Sequence, residues 1–150
     1  MTPDEIAASL GIDLKNYQPP GDLAPAARLG SALHTSGHVS KSVKGKLGSD
    51  ITVEQGKAAA RECAVQLLQA AYDVNGTLNN LRCVKLLGAV NSAPEFTDQH
   101  LVINGASELI WEVFGKRENG YHARSALGFA ALPTGVAVEV EAIFEVIEGG

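Results

Sequence analysis

The stretch His122-Ala-Arg-Ser-Ala-Leu-Gly-Phe-Ala-Ala-Leu-Pro-Thr-Gly-Val-Ala-Val-Glu-Val-Glu-Ala-Ile-Phe-Glu-Val146 decides the fold. It reads as two strands joined by a turn at Leu132-Pro133-Thr134-Gly135, where proline fixes φ and glycine tolerates a positive one. Side chains alternate along a strand, so Leu127 and Phe129 share one face while Arg124, Ala126 and Gly128 share the other. In the second strand Val138, Val140, Phe144 and Val146 lie on one face, and Glu139, Glu141, Ile143 and Glu145 on the opposite one. If both bulky faces meet one core, Arg124, Glu139 and Glu141 share the second face. Glu139 then sits across from Gly128, roughly 13 Å along the sheet from Arg124, too far for an ion pair within one chain.

That second face is too apolar at Ala126, Ala137 and Ile143 to be ordinary solvent-facing sheet. A neighbouring copy could cover it and bring its own acid to Arg124, making a polar pocket at each junction. From spacing alone the same charges read more simply as a structural ion-pair partner at Arg124 and solvated glutamates.

Outward from this stretch, the chain of 150 residues has the length of one domain. Its residues are 45% hydrophobic but only 5% aromatic, which predicts a core of Ala, Val and Leu with closely approaching elements. A formal net charge of −5 argues against a nonspecific electrostatic grip on nucleic acid. Cys63 and Cys83 have no CxxC spacing and read as small buried hydrophobes in a reducing compartment. With neither a basic-then-apolar leader nor a membrane-length apolar run, the expectation is a soluble cytoplasmic protein. His34, His38, His100 and His122 fall on separate elements without metal-ligand spacing, so no metal site is expected.

Thr2-Pro3-Asp4-Glu5 predicts a capped helix stopped at Gly11, and Pro19, Pro20, Gly21 and Pro25 predict an irregular connector after it. Ala26–Leu29 and Ala32–Val39 read as a hairpin about Gly30-Ser31, and the lysine-rich segment 40–50 as an exposed loop. Thr52-Val53-Glu54-Gln55 is a second capping box, opening a helix over 53–74 that Asn75-Gly76 ends. Leu81–Asn91 reads as a strand buried on both faces, with Val84, Leu86 and Val90 on one side and Cys83, Leu87 and Ala89 on the other. Thr97 or Asp98 caps a second long helix that runs to Gly115. The order is ββαβαββ, an α/β domain with two helices on one sheet face and the other face free for self-association.

Ala123-Arg124-Ser125, Leu132-Pro133 and Val138-Glu139-Val140-Glu141-Ala142-Ile143 together resemble the C-terminal signature of the RidA/YjgF family, the imine deaminases also labelled endoribonuclease L-PSP. Thr35-Ser36-Gly37, the run Lys85–Phe96 and Val102-Ile103-Asn104-Gly105-Ala106-Ser107 resemble its earlier sections. The likeness spans residues 24–150, and the helix and irregular extension of residues 1–23 resemble the family's longer-chain branch. The resemblance implies a chorismate-mutase-like fold, a homotrimer with clefts between subunits, and cofactor-independent hydrolysis of amino-acid-derived enamines or imines to 2-keto acids and ammonia. It implies Arg124 as the holder of a substrate carboxylate and Glu139 as the acid that orients water, with Ser36, Gly37, Asn104 and Ala126 lining the cleft. Two positions depart from the pattern. The family's tyrosine aligns with Leu23, so Tyr17 would have to loop back to supply a hydroxyl, and its frequent cysteine is Ala126. A noncatalytic trimer that binds small carboxylates or keto acids is the alternative. Endoribonuclease activity rests on the family label alone, and His122, beside Arg124, is the one auxiliary acid or base in view.

Overall fold

Helix α1 (Pro3–Ser9) starts where the capping pattern places it: the Thr2 hydroxyl accepts from the Glu5 amide, and the Glu5 carboxylate accepts from the Thr2 amide. The computed structural model describes residues 1–147, so the last three residues of the expected domain lie outside the described residues. The chain continues through an irregular connector into β1 (Ala26–Leu29), β2 (Ala32–Thr35) and a short β3 (His38–Val39). Helix α2 (Val53–Asn75) opens on the Thr52/Gln55 capping box and closes on Gly76, whose φ of 83° is the left-handed cap that glycine adopts without strain. Then come β4 (Leu81–Asn91), α3 (Gln99–Phe114), a π-helical turn at Gly115–Asn119, β5 (Ala123–Phe129) and β6 (Val138–Val146).

The strands form one sheet in the order β1-β2-β6-β4-β5, with β3 also paired to β6. The expected hairpin between the two C-terminal strands does not form, because β4 lies between them, parallel to β5 and antiparallel to β6. The reason is the helix between β4 and β5: a helical crossover returns the chain to the end where it began, which makes those two strands parallel neighbours. The turn at Pro133–Gly135 therefore spans a strand rather than closing a tight loop. It passes over the end of β4, where Asn91 N donates to Ala137 O at 2.9 Å and Ser92 N to Phe129 O at 3.0 Å.

This insertion also corrects which side chains share a face. Ala89 of β4 pairs with both Leu127 and Glu139, so Leu127, rather than Gly128, stands level with Glu139. Leu127 and Phe129 accordingly point to the open face with Glu139 and Glu141, and are 45% and 41% exposed. Arg124, Ala126 and Gly128 share the other side with Leu86, Gly88 and Val90, their partners in β4. That side carries the helices: Arg124 bonds to α3, and a Cβ on Gly88 or Gly128 would meet Ile103 or Gln99 of the same helix. A β-bulge between Cys83 and Lys85 corrects the faces of β4 as well, since Cys83 and Leu86 are both buried in the core.

Both long helices pack on that one face. Ala59, Ala60, Cys63, Ala64, Leu67 and Leu68 of α2 join Val102, Ile103, Ala106, Leu109 and Ile110 of α3 and Val138, Val140 and Phe144 of β6 in one buried cluster. Small residues set the approach: a Cβ on Gly105 would overlap the carbonyl of Lys57 in α2. The N-terminal extension is fastened to this body, with Ala7 buried and the Asp4 carboxylate accepting from Leu78 N at 2.7 Å and Thr77 Oγ1 at 2.6 Å. Cys63 and Cys83 are free and buried, and burial pushes both thiols up, Cys83 to about 12. Among the described residues no helix is long and apolar enough to cross a membrane.

Candidate functional site

Arg124 lies near the start of β5, the edge strand, half-buried against α3. One guanidinium nitrogen, Nη1, donates to Asn104 Oδ1 at 2.8 Å and to Ser107 Oγ at 3.2 Å. Positions 104 and 107 are three apart on a helix and face the same way, which is why one nitrogen can reach both. Burial pulls Arg124 below its ordinary pKa, but a guanidinium remains charged. The ion pairs among the described residues are Lys57–Glu108, Arg61–Glu112 and Arg82–Glu145, so Arg124 has no carboxylate partner there. With Nη1 anchored, the Nε–Nη2 edge carries no hydrogen bond to another described residue. That edge is the side-on fork that matches a carboxylate.

Glu139 stands near the start of β6, between Val39 of β3 and Ala89 of β4. The chain at Ser36-Gly37 leaves the strand, and side-chain hydroxyls take over the ladder on either side of the gap: Thr35 Oγ1 accepts from Ala142 N at 2.9 Å and Ser40 Oγ from Val138 N at 3.1 Å. Glu139 leans into this gap, and its carboxylate occupies the space a Cβ on residue 37 would need, so any larger residue there would displace the carboxylate. Burial, and then the charge of Glu141, raises the pKa of Glu139 above the ordinary carboxylate value. Ser36 Oγ is turned back onto Ala24 O at 2.6 Å.

The residues singled out in the sequence thus fall into two groups, Arg124 with Asn104 and Ala126, and Glu139 with Ser36 and Gly37. In register the two charges are three residues and two strands apart, roughly 14 Å between Cα atoms, on opposite sides of the sheet. Tyr17 joins neither group. Its hydroxyl lies 2.6 Å from His38 Nε2, and His38 pairs with Val140 on the helix side of the sheet, away from Glu139. Burial, with Asp73 second, pushes the Tyr17 hydroxyl up to about 12, and Leu23 is 67% exposed. Sequence reasoning missed Ser107 and the tie from His38 to Tyr17. A polar pair at 104 and 107 within an otherwise apolar helix stripe was the available signal for Ser107.

Two cavities lie away from both Arg124 and Glu139. One of about 660 Å³ lies between Lys46, Ser92–Pro94, Gln99 and Phe129, where the Lys46 ammonium donates to Asn91 and to Ala130 O. One of about 310 Å³ lies on the open sheet face between Lys85, Leu87, Glu141 and Ile143.

The chain matches the family model described as Endoribonuclease L-PSP over residues 15–146. Protein TCP17 of Trypanosoma cruzi is 45% identical over 148 residues, covering 91% of this chain and 89% of the relative. Among solved structures, the protein Atu1372 of Agrobacterium tumefaciens is 39% identical with a TM-score of 0.82, covering 97% of this chain and 92% of its own. The YjgF gene product of E. coli shares the fold at a TM-score of 0.58 and 23% identity, over 89% of this chain and 94% of its own. With the family model spanning both charged groups and a relative 45% identical over 91% of the chain, this chain belongs to the endoribonuclease L-PSP family, the RidA/YjgF family that its C-terminal residues resemble.

Proposed function

We propose that the protein is a cofactor-independent enamine/imine deaminase that hydrolyses amino-acid-derived imines to 2-keto acids and ammonia, acting as a homotrimer. The observation that carries this reading is the anchored guanidinium of Arg124, half-buried, without a carboxylate partner among the described residues and with its Nε–Nη2 edge unengaged. A small acid docked there presents its α-carbon to whatever stands beyond the edge of β5. Among the described residues no carboxylate pairs with Arg124, and Glu139 lies out of reach on the far side of the sheet. A neighbouring copy that paired against β5 and covered Leu127, Phe129, Leu87 and Ile143 would supply its own Glu139 and Ser36-Gly37.

The chemistry asks little of such a cleft. An imine carbon is already electrophilic; water adds to it, the resulting carbinolamine loses ammonia, and the keto acid remains. Arg124 orients the carboxylate, and Glu139, its pKa raised by burial, holds the water and takes its proton. The buried free thiols fit a reducing, cytoplasmic setting.

The test is release of keto acid and ammonia from 2-aminoacrylate, generated in situ by a dehydratase, compared between the wild-type protein and Arg124→Ala. Equal release by the two proteins overturns the proposal. A second reading, a trimer that binds small carboxylates without turning them over, is favoured by Ala126 in place of a thiol and by the Tyr17 hydroxyl being engaged with His38. Arg124-dependent binding of keto acids without turnover would establish it. The family description names an endoribonuclease, and RNA cleavage that co-purifies with the protein through successive chromatography steps, and is lost in Glu139→Gln, would move the assignment there.

A further inference from the structure

His122 stands two residues before Arg124, at the mouth of β5, half-buried against α3 with its ring 6.0 Å from that of Trp111. Its Nδ1 is 2.7 Å from Gly120 O. A carbonyl oxygen only accepts, so Nδ1 carries the hydrogen and Nε2 of the neutral ring is a bare acceptor. Nε2 lies 2.9 Å from Ser107 Oγ and therefore accepts a hydrogen bond from the serine hydroxyl. The serine oxygen is then left to accept from Arg124 Nη1. Donation runs one way, from Arg124 to Ser107 to His122 to Gly120 O. Ser107 has no exposed surface, so solvent does not reach it to replace a lost link.

We propose that His122 is a positioning residue for Arg124: its neutral ring, through Ser107, holds the guanidinium with the Nε–Nη2 edge open, and protonation of the ring releases that edge, so carboxylate ligands are shed in acid. The proposal rests on the carboxylate-binding reading of Arg124 given above. Protonated Nε2 becomes a donor. Ser107 then faces two donors with no acceptor for its own hydrogen, and a second cation stands one hydroxyl away from the guanidinium.

The surrounding charges agree with a ring that is neutral near pH 7. Burial lowers the His122 pKa, the bond to Gly120 O opposes this, and the charge of Arg124 lowers it further. On the neighbouring elements, Lys116 sits over Trp111 at 4.7 Å and Arg117 over Tyr121 at 5.2 Å, with Glu118 in the same π-helical turn. Glu108 and Glu112 of α3 are paired with Lys57 and Arg61 of α2, and Lys85 of β4 donates to Ser125.

The experiment titrates pyruvate, the smallest 2-keto acid, into the protein by calorimetry from neutral to mildly acid pH. Wild-type affinity should fall about tenfold per pH unit below the His122 midpoint, because a proton and the ligand then compete. His122→Gln, whose amide oxygen accepts the serine proton at every pH, should keep its affinity across the same range. Superimposable profiles for the two proteins overturn the proposal. Should Arg124→Ala bind pyruvate as well as the wild type does, it is the carboxylate reading that fails. A ligand-free measurement then decides the role of His122. Its ring signals and the Arg124 Nε–H resonance should titrate with one midpoint in the wild type and separate in Ser107→Ala. Independent titration in the wild type overturns the coupling.

Discussion

The space at residue 37 belongs to the Glu139 carboxylate, and that single vacancy decides where the acid points. Gly37→Ala should therefore leave the fold in place, since the far end of a flexible side chain can swing away, but cost the proposed deaminase turnover about 10²-fold through misplacement of the acid. Steady-state kinetics beside a melting curve check this; a variant with unchanged turnover would place Glu139 outside the chemistry. In the proposed mechanism the same carboxylate sets an acid limit on activity. Burial, and then the Glu141 charge, disfavours its ionised form. Removing the neighbouring charge in Glu141→Gln stabilises the ionised form, so the acid midpoint of turnover should move to lower pH and activity should extend further into acid, read from a pH profile of kcat. A midpoint that stays or rises rejects the assignment of that limb to Glu139. At this scale the strand positions of Arg124 and Glu139 were legible in the sequence because charges on apolar strands stand out. The face of Arg124 was not, since parity between two strands is known only once the strand between them is known.

At the scale of elements, the contact of α2 with α3 positions Arg124 as well as the core. Gly105 lies between the two residues that matter to Arg124, Asn104 and Ser107, and lets α3 press directly on the Lys57 carbonyl. Backbone cannot swing aside as a side chain can. Gly105→Ala should destabilise the protein by about 1–3 kcal/mol, the usual cost of overpacking, seen as a lower urea midpoint at unchanged slope. It should also weaken keto-acid binding, because α3 carries both anchors of the guanidinium when it shifts. A stable variant with normal binding would show that the close approach is incidental. The extents of α2 and β4 were readable because capping boxes, a left-handed glycine and a dense apolar run are local signals. The bulge at Cys83–Lys85 was not, since a strand buried on both faces offers no alternation to count. The hairpin expectation failed for a related reason: a proline-glycine turn marks where a chain reverses, and does not say what passes beneath it.

For the whole molecule, the two charged groups of one chain stand on opposite sides of its sheet, and in the proposed assembly each is half of a site. If the cleft is closed by a neighbour, the Arg124 half and the Glu139 half of any working site come from different copies, and two dead proteins can repair one another. Arg124→Ala and Glu139→Gln should each be inactive alone. Mixed trimers of the two, made by co-expression or by unfolding and refolding together, should form clefts in which one copy lends its arginine and the next its glutamate. With random assortment about a quarter of the clefts carry both native residues, so turnover should recover to about that fraction of the wild type. Light scattering on the same samples reports whether the particle holds three copies. If both residues of a site came from a single chain, mixing would restore nothing, because every chain in the mixture lacks one of them. A trimer that shows no complementation would therefore keep the assembly and overturn the shared site.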